Sequence, residues 1–301
     1  MMIVGKKSFL PRKLLITAAV IFTSVITFDS LSGTLDAMGW PSQEAVLIRN
    51  FGSNDGGNPV LGMIFEGGTE VLAAEKGEVI FSRNRNDAAS RLPSPLGAWA
   101  AVDHGDGLIS IYSRLAEMES VGHTTVEKQQ TIASSGVSGW SSRNGFYFIV
   151  FDRRERRWVN PAMIITPVRE NVRPLQILSV NLRNAQGQVV QSPVLSQGRY
   201  TVLVNASGSS AWLAQQHAPQ RIVCSVNGAE IGSINFEAVS ARDGVLLISR
   251  NGLVPAKQIY SSFPSFEAAD VFLTRGLVTL EVIVQDIAGN PRSYVNRLTV
   301  N

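Results

Sequence analysis

The chain has 301 residues, 45% of them hydrophobic and 17% charged, with a formal charge of +3. That length allows two ordinary domains, and that composition describes a globular chain, neither disordered nor polytopic. The charge is small, and Lys6, Lys7, Arg12 and Lys13 place much of the basic content at the very start, so no clustered basic face calls for nucleic acid.

Residues 1–37 read as a signal peptide or a retained N-terminal anchor. A basic stretch is followed by an uncharged, mostly apolar run from Leu14 to Phe28. This fits a secretory core and falls short of the roughly 20 residues that a spanning helix needs. Leu31-Ser32-Gly33 and Leu35-Asp36-Ala37 are the candidate cleavage sites. In either case the bulk of the chain is exported to the periplasm or cell envelope, and a kept anchor would sit in the inner membrane. Residues 38–56, with Gly, Ser, Asn and Pro and few apolar side chains, read as a linker.

From 57 to 166 no stretch keeps a helical period, while short β-branched and aromatic runs recur between glycine clusters. Strands are predicted at 60–65, 70–74, 77–83, 98–104, 108–113, 130–134 and 146–152. Pro167 and Pro174 bracket a charged boundary, and residues 172–301 form a second domain of longer strands at 175–184, 199–206, 220–226, 244–248, 277–285 and 293–300. The stretches 213–218 and 265–274 interrupt that pattern and read as loops or short helical turns. Asp286-Ile287-Ala288-Gly289-Asn290-Pro291 is a tight turn before the last strand. This part is similar in architecture to bacterial immunoglobulin-like modules, a β-sandwich, without their Cys…Trp…Cys signature. The chain is thus expected to be all-β, with two domains that fold separately and touch little.

Several ordered markers lie in the first domain: Gly67-Gly68-Thr69-Glu70-Val71, Gly77-Glu78-Val79-Ile80, Asp103-His104-Gly105-Asp106-Gly107, Tyr112-Ser113-Arg114-Leu115, Gly136-Val137-Ser138-Gly139-Trp140, Phe146-Tyr147-Phe148-Ile149-Val150-Phe151 and Val159-Asn160-Pro161. Their order and spacing resemble the lysostaphin-like (LytM-type) zinc endopeptidases, which cut peptidoglycan cross-bridges. The resemblance covers residues 57–165 and implies their β-sheet domain. In that family a His-x-x-x-Asp strand and one histidine of a His-x-His pair hold zinc. The other histidine of the pair and that of a Tyr-x-His-Leu segment serve the attacking water and the oxyanion. Laid on this sequence, those positions fall on Val60, Ile64, Arg114, Phe146 and Phe148. None of these side chains offers zinc a lone pair. No catalytic residue, no metal ligand and no cofactor is therefore expected.

The chain has three histidines. His104 sits with Asp103 and Asp106 in a hairpin turn that explains all three, although together they could bind a cation; His123 falls in a loop and His217 in the second domain. The lone Cys224 forms no internal disulfide and reads as a buried thiol in a strand. Arg114 either grips a carboxylate or phosphate of a wall polymer or pairs with Glu66 or Glu117. Tyr112, Arg114 and Trp140 are the candidate groove-binding residues, and Phe146 and Tyr147 join Tyr112 and Trp140 in a stacking floor for sugars. Arg153-Arg154-Glu155-Arg156-Arg157 reads as a solvated turn or a patch for anionic polymer. The resemblance implies an exported, catalytically degenerate protein that binds peptidoglycan or regulates a wall hydrolase. The alternatives are an active zinc endopeptidase with a rearranged site, and an adhesion-like protein binding through its second domain.

Overall fold

A computed structural model describes residues 37–84, 92–116, 124–166, 175–210 and 213–301, with the backbone alone for 209, 210 and 213–216. The expected signal or anchor, the Pro167–Pro174 boundary, His123 and Glu117 lie outside the described residues. Among the described residues no helix is long and apolar enough to cross a membrane.

The chain folds almost wholly into strands. In the first half, Gly145–Asp152 is the central strand: Leu108–Leu115 pairs along one side, while Met63–Glu66 and Arg157–Val159 share the other. Beyond Leu108–Leu115 come Ala98–Asp103 and then Gly77–Arg83, all antiparallel. Strand residues alternate between faces. Phe146, Phe148 and Val150 therefore point into a core with Met63, Phe65, Val102 and Tyr112. Tyr147, Ile149 and Phe151 point to the opposite face.

The second half packs two sheets around another core. One contains Arg221–Val226, Ala229–Arg242, Gly276–Gln285 and Pro291–Val300; the other contains Gln176–Asn184, Gly198–Ser210 and Phe266–Leu273. Ile222, Ile234, Val282 and Val284 from the first sheet meet Val202, Val204 and Ala268 from the second. Cys224 is fully buried there, and burial pushes its thiol up to about 12.

The structure departs from the sequence reading in several places. Residues 213–217 and 266–273 are strands, not loops. The polar look of the latter comes from Glu267, which is buried against Arg183 at 2.6 Å and so belongs in the sheet. Residues 38–56 are not a free linker. Met38 bridges to Ile165, Trp40 packs edge-on against Phe65, Leu47–Arg49 adds a strand beside Met63–Glu66, and Phe51 is fully buried in the second core. Contacts between the halves are also many. Arg157–Val159 pairs with Ala238–Ser240, and Asn160 Nδ2 donates to Phe236 O at 2.9 Å. Asn50 donates to Ala218 O and accepts from Ala218 N. Residues 37–301 accordingly form one compact unit.

Candidate functional site

A metal or a substrate is held by side chains that share a face. Directly opposed strand residues do so, and the register sets Ile64 against Tyr147, and Met63 against Phe148. Ile64 and Tyr147 therefore stand on one face, and Phe146 and Phe148 on the other. Both phenylalanines are fully buried. Phe146 stacks on Phe65 with centroids 4.7 Å apart, and Phe148 tilts against Tyr112 at 5.2 Å. The placement of Phe146 and Phe148 at a site shared with Ile64 is thereby corrected: both point away from it, and its face carries Gly145, Tyr147 and Ile149.

Tyr112 is corrected as well. It is fully buried, its hydroxyl accepting from Ala74 N at 2.7 Å, and burial pushes it up to about 12, so it cannot floor an open groove.

Arg114 reaches the Tyr147 face through a backbone irregularity. The ladder between Ala98–Asp103 and Leu108–Leu115 slips between Ala98 and Trp99, leaving Arg114 as the extra residue, at φ 63. Such a bulge re-aims a side chain. The guanidinium lies over the Tyr147 ring, 5.3 Å from its centroid. Burial pulls the Arg114 pKa down, opposed by Tyr147 and Asp55, and Arg49 adds to the depression. The ion pair expected with Glu66 is not formed; Arg49 instead holds Asp55 at 2.8 Å nearby.

The same face is closed by the loop that carries Val60. Val60 is buried, donates to Ser53 O and accepts from Gly52 N. Gly62 lies so close to the central strand that a Cβ there would stand 2.1 Å from Phe148 O and 3.0 Å from Ile149 Cγ1. Only glycine permits that approach. Leu61 N donates to the Tyr147 hydroxyl at 2.8 Å, and burial pushes this phenol up to about 12. Ile64, Tyr147 and Ile149 thus share this face, with Arg114 over the tyrosine and the backbone of Val60 bonded in the loop beside it. Zinc does not fit these residues: four are without an imidazole or carboxylate, and a guanidinium stays cationic and offers no lone pair. Among the described residues no three His, Cys, Asp or Glu side chains converge as a metal site.

The other candidates lie apart. His104 is hydrogen-bonded at both ring nitrogens, to Lys76 O and Ser110 Oγ, each at 2.8 Å. His217 Nε2 meets Ile48 O at 3.0 Å. Trp140 is 81% exposed beside a cleft of about 210 Å³ shared with Arg83, Leu92 and Gly139. In the arginine run, Arg153 pairs with Asp103 and Arg157 with Asp152, as a solvated turn would.

Sequence reasoning missed Ile149 on this face and named Tyr147 only for a stacking floor. The 145–152 strand is apolar on both faces, so only its pairing partners show which alternate set faces the site.

Comparison with known proteins gives the same outline. The profile of peptidase family M23 matches residues 61–161, and a separate profile matches 174–301. Murein hydrolase activator NlpD of Salmonella dublin, and that of Salmonella typhimurium, are each 27% identical over 157 residues, covering 50% of this chain and 39% of the relative. The chain thus spans less than half the length of the curated relatives it matches. Among solved structures, the SpoIIQ-SpoIIIAH pore forming complex aligns with TM-score 0.36 and 20% identity over 44% of this chain and 92% of that one. The catalytic domain of the M23 protein EnpA from Enterococcus faecalis aligns with TM-score 0.35 and 20% identity over 41% and 94%. Residues 61–161 of this chain form a domain of peptidase family M23, followed by a second β domain.

Proposed function

We propose that this is an exported cell-envelope protein whose M23 domain has lost zinc chemistry and serves as a binding or regulatory module for a murein hydrolase. One observation supports the reading: the face shared by Ile64, Tyr147 and Ile149 lies under Arg114 and is closed by the Leu61–Tyr147 hydrogen bond, with no side chain there suited to zinc. Similarity to proteins named murein hydrolase activators supports the regulatory role and the envelope location. The second β domain, immunoglobulin-like in this reading, supplies a further surface. On the M23 domain, exposed Trp140 and the cationic Arg114 are the side chains that would meet a partner or the wall.

The test is dye release from labelled sacculi by a purified wall amidase, with and without the full chain. The chain should raise the amidase's rate and release nothing alone, with or without added zinc. Release by the chain alone that chelator abolishes and zinc restores would overturn the proposal.

A further inference from the structure

The last strand, Pro291–Val300, is paired along its whole length with Gly276–Gln285 on one side. On the other side, Val194–Leu195 covers only Thr299 and Val300. Which residues face that open side follows from the hydrogen bonds. Thr299 N donates to Pro193 O and Asn301 N to Leu195 O, so odd-numbered residues point outward. Thr279 and Gln285, opposite Arg297 and Pro291, accept from Asn227 and Gln220 away from the last strand, which agrees. Ser293, Val295 and Arg297 therefore turn their N–H and C=O groups to solvent, and no partner for them exists among the described residues. Unpaired edges are templates for another strand, and proteins usually blunt them with central lysines, prolines or bulges. Here the middle of the edge is Val295, 56% exposed.

We propose that this edge pairs antiparallel with the same edge of a second copy, giving a two-fold dimer centred on Val295. The edge is self-complementary in that register. Val295 faces Val295 of the second copy, Ser293 faces Arg297, Tyr294 faces Asn296, and Arg292 faces Leu298. No like charges oppose each other. All three outward N–H groups find carbonyls, about six inter-strand hydrogen bonds in all, as antiparallel pairing of such residues gives. The length also fits. Beyond Leu298 the place beside the strand is held by Val194, and the residue of the second copy that would arrive there is Pro291, which has no N–H to pair. On the inner face, Tyr294 and Asn296 border an open space of about 340 Å³ between the sheets, lined also by Leu178, Val180 and Leu280. The opposed Tyr294 of the second copy covers its mouth. A self-paired edge of this kind makes an isologous interface, the commonest form of homodimer.

The test is sedimentation of the full chain at micromolar concentration. Wild type should run as a dimer. Val295→Lys sets two ammonium groups face to face across the axis and should run as a monomer that still unfolds cooperatively, since the side chain is exposed and its N–H is not bonded within the domain. Mixing Val295→Lys with Val295→Asp should restore the dimer. A monomeric wild type, a Val295→Lys protein that stays dimeric, or a Lys/Asp mixture that stays monomeric would each overturn the proposal.

Discussion

Tyr147 opposes Ile64 on one face of the sheet, and its hydroxyl serves the backbone. The Leu61 amide has that oxygen as its partner, inside a loop held tight by Gly62. Tyr147→Phe keeps the ring beneath Arg114 and removes only the acceptor. An unsatisfied buried amide costs about 1–3 kcal/mol, so the variant should lose that much stability in urea unfolding. A shift within error would mean that the loop does not seal the face. His104 carries a second consequence. Lys76 O can only accept, so Nδ1 donates to it, and the neutral ring leaves Nε2 to accept from Ser110, whose hydroxyl lies 3.1 Å from that of Tyr112. Protonation turns Nε2 into a donor and reverses the chain. Burial lowers the His104 pKa, partly opposed by the Lys76 carbonyl, Glu75 and Asp103, so the unfolded chain takes up the proton first. Its contribution to stability is full above the unfolded value of about 6.5 and declines as pH falls below it. Burial lowers His217 in the same sense. The thermal midpoint should therefore fall between about pH 7 and pH 5, and fall less in His104→Gln. Equal slopes in the two proteins would remove His104 from the account.

At the scale of elements, the bulge at Arg114 is what brings a cation to the site, and it holds a non-glycine residue in the left-handed region. That conformation costs an L-residue roughly 1–2 kcal/mol that glycine escapes. Arg114→Gly should thus be about 1 kcal/mol more stable than Arg114→Ala, both lacking the guanidinium; equality would show that the bulge relaxes once the side chain is gone. Neither the bulge nor the face assignment was legible in the sequence. Strands such as Gly77–Arg83 and Leu108–Leu115 were, because glycine clusters bound them and their apolar residues are β-branched or aromatic. Ala229–Arg242 was not, since a register shift between Asn235 and Val239 breaks its alternation halfway. The strand Phe266–Leu273 hid behind Glu267 and Asp270, whose acidic side chains suit a strand only because Arg183 and Arg250 answer them from other strands. That Val60 and Ile64 cannot coordinate a metal is readable directly, since a hydrocarbon offers no lone pair in any fold. At Phe146 and Phe148 the reading slipped, because a strand buried on both faces carries no mark of which face is which.

For the whole molecule, the decisive question is whether two domains or one body unfolds. A separate unfolding of the halves would have to open the pairing of Arg157–Val159 with Ala238–Ser240 and withdraw Asn160 Nδ2 from Phe236 O. It would also pull the segment before the M23 domain out of the second core. That segment serves both: Trp40 packs on Phe65 in the first, while Phe51 is fully buried in the second, and Gly52 O accepts from the Tyr260 hydroxyl beside it. Each of these leaves a buried polar group unpaired or an aromatic side chain in water. Shared structure on this scale couples the halves, so calorimetry of the full chain should show one transition across residues 37–301. Phe51→Ala tests the coupling directly. Truncating a buried phenylalanine costs about 3–5 kcal/mol. Although Phe51 precedes the M23 domain in sequence, the whole transition should move to lower temperature as a single peak. Tryptophan fluorescence, to which Trp40, Trp99, Trp140 and Trp158 contribute from the first half and Trp212 from the second, should report the same single lowered midpoint. Two resolved peaks, with the fluorescence midpoint unmoved by Phe51→Ala, would show that the halves unfold as independent bodies despite the sheet that joins them.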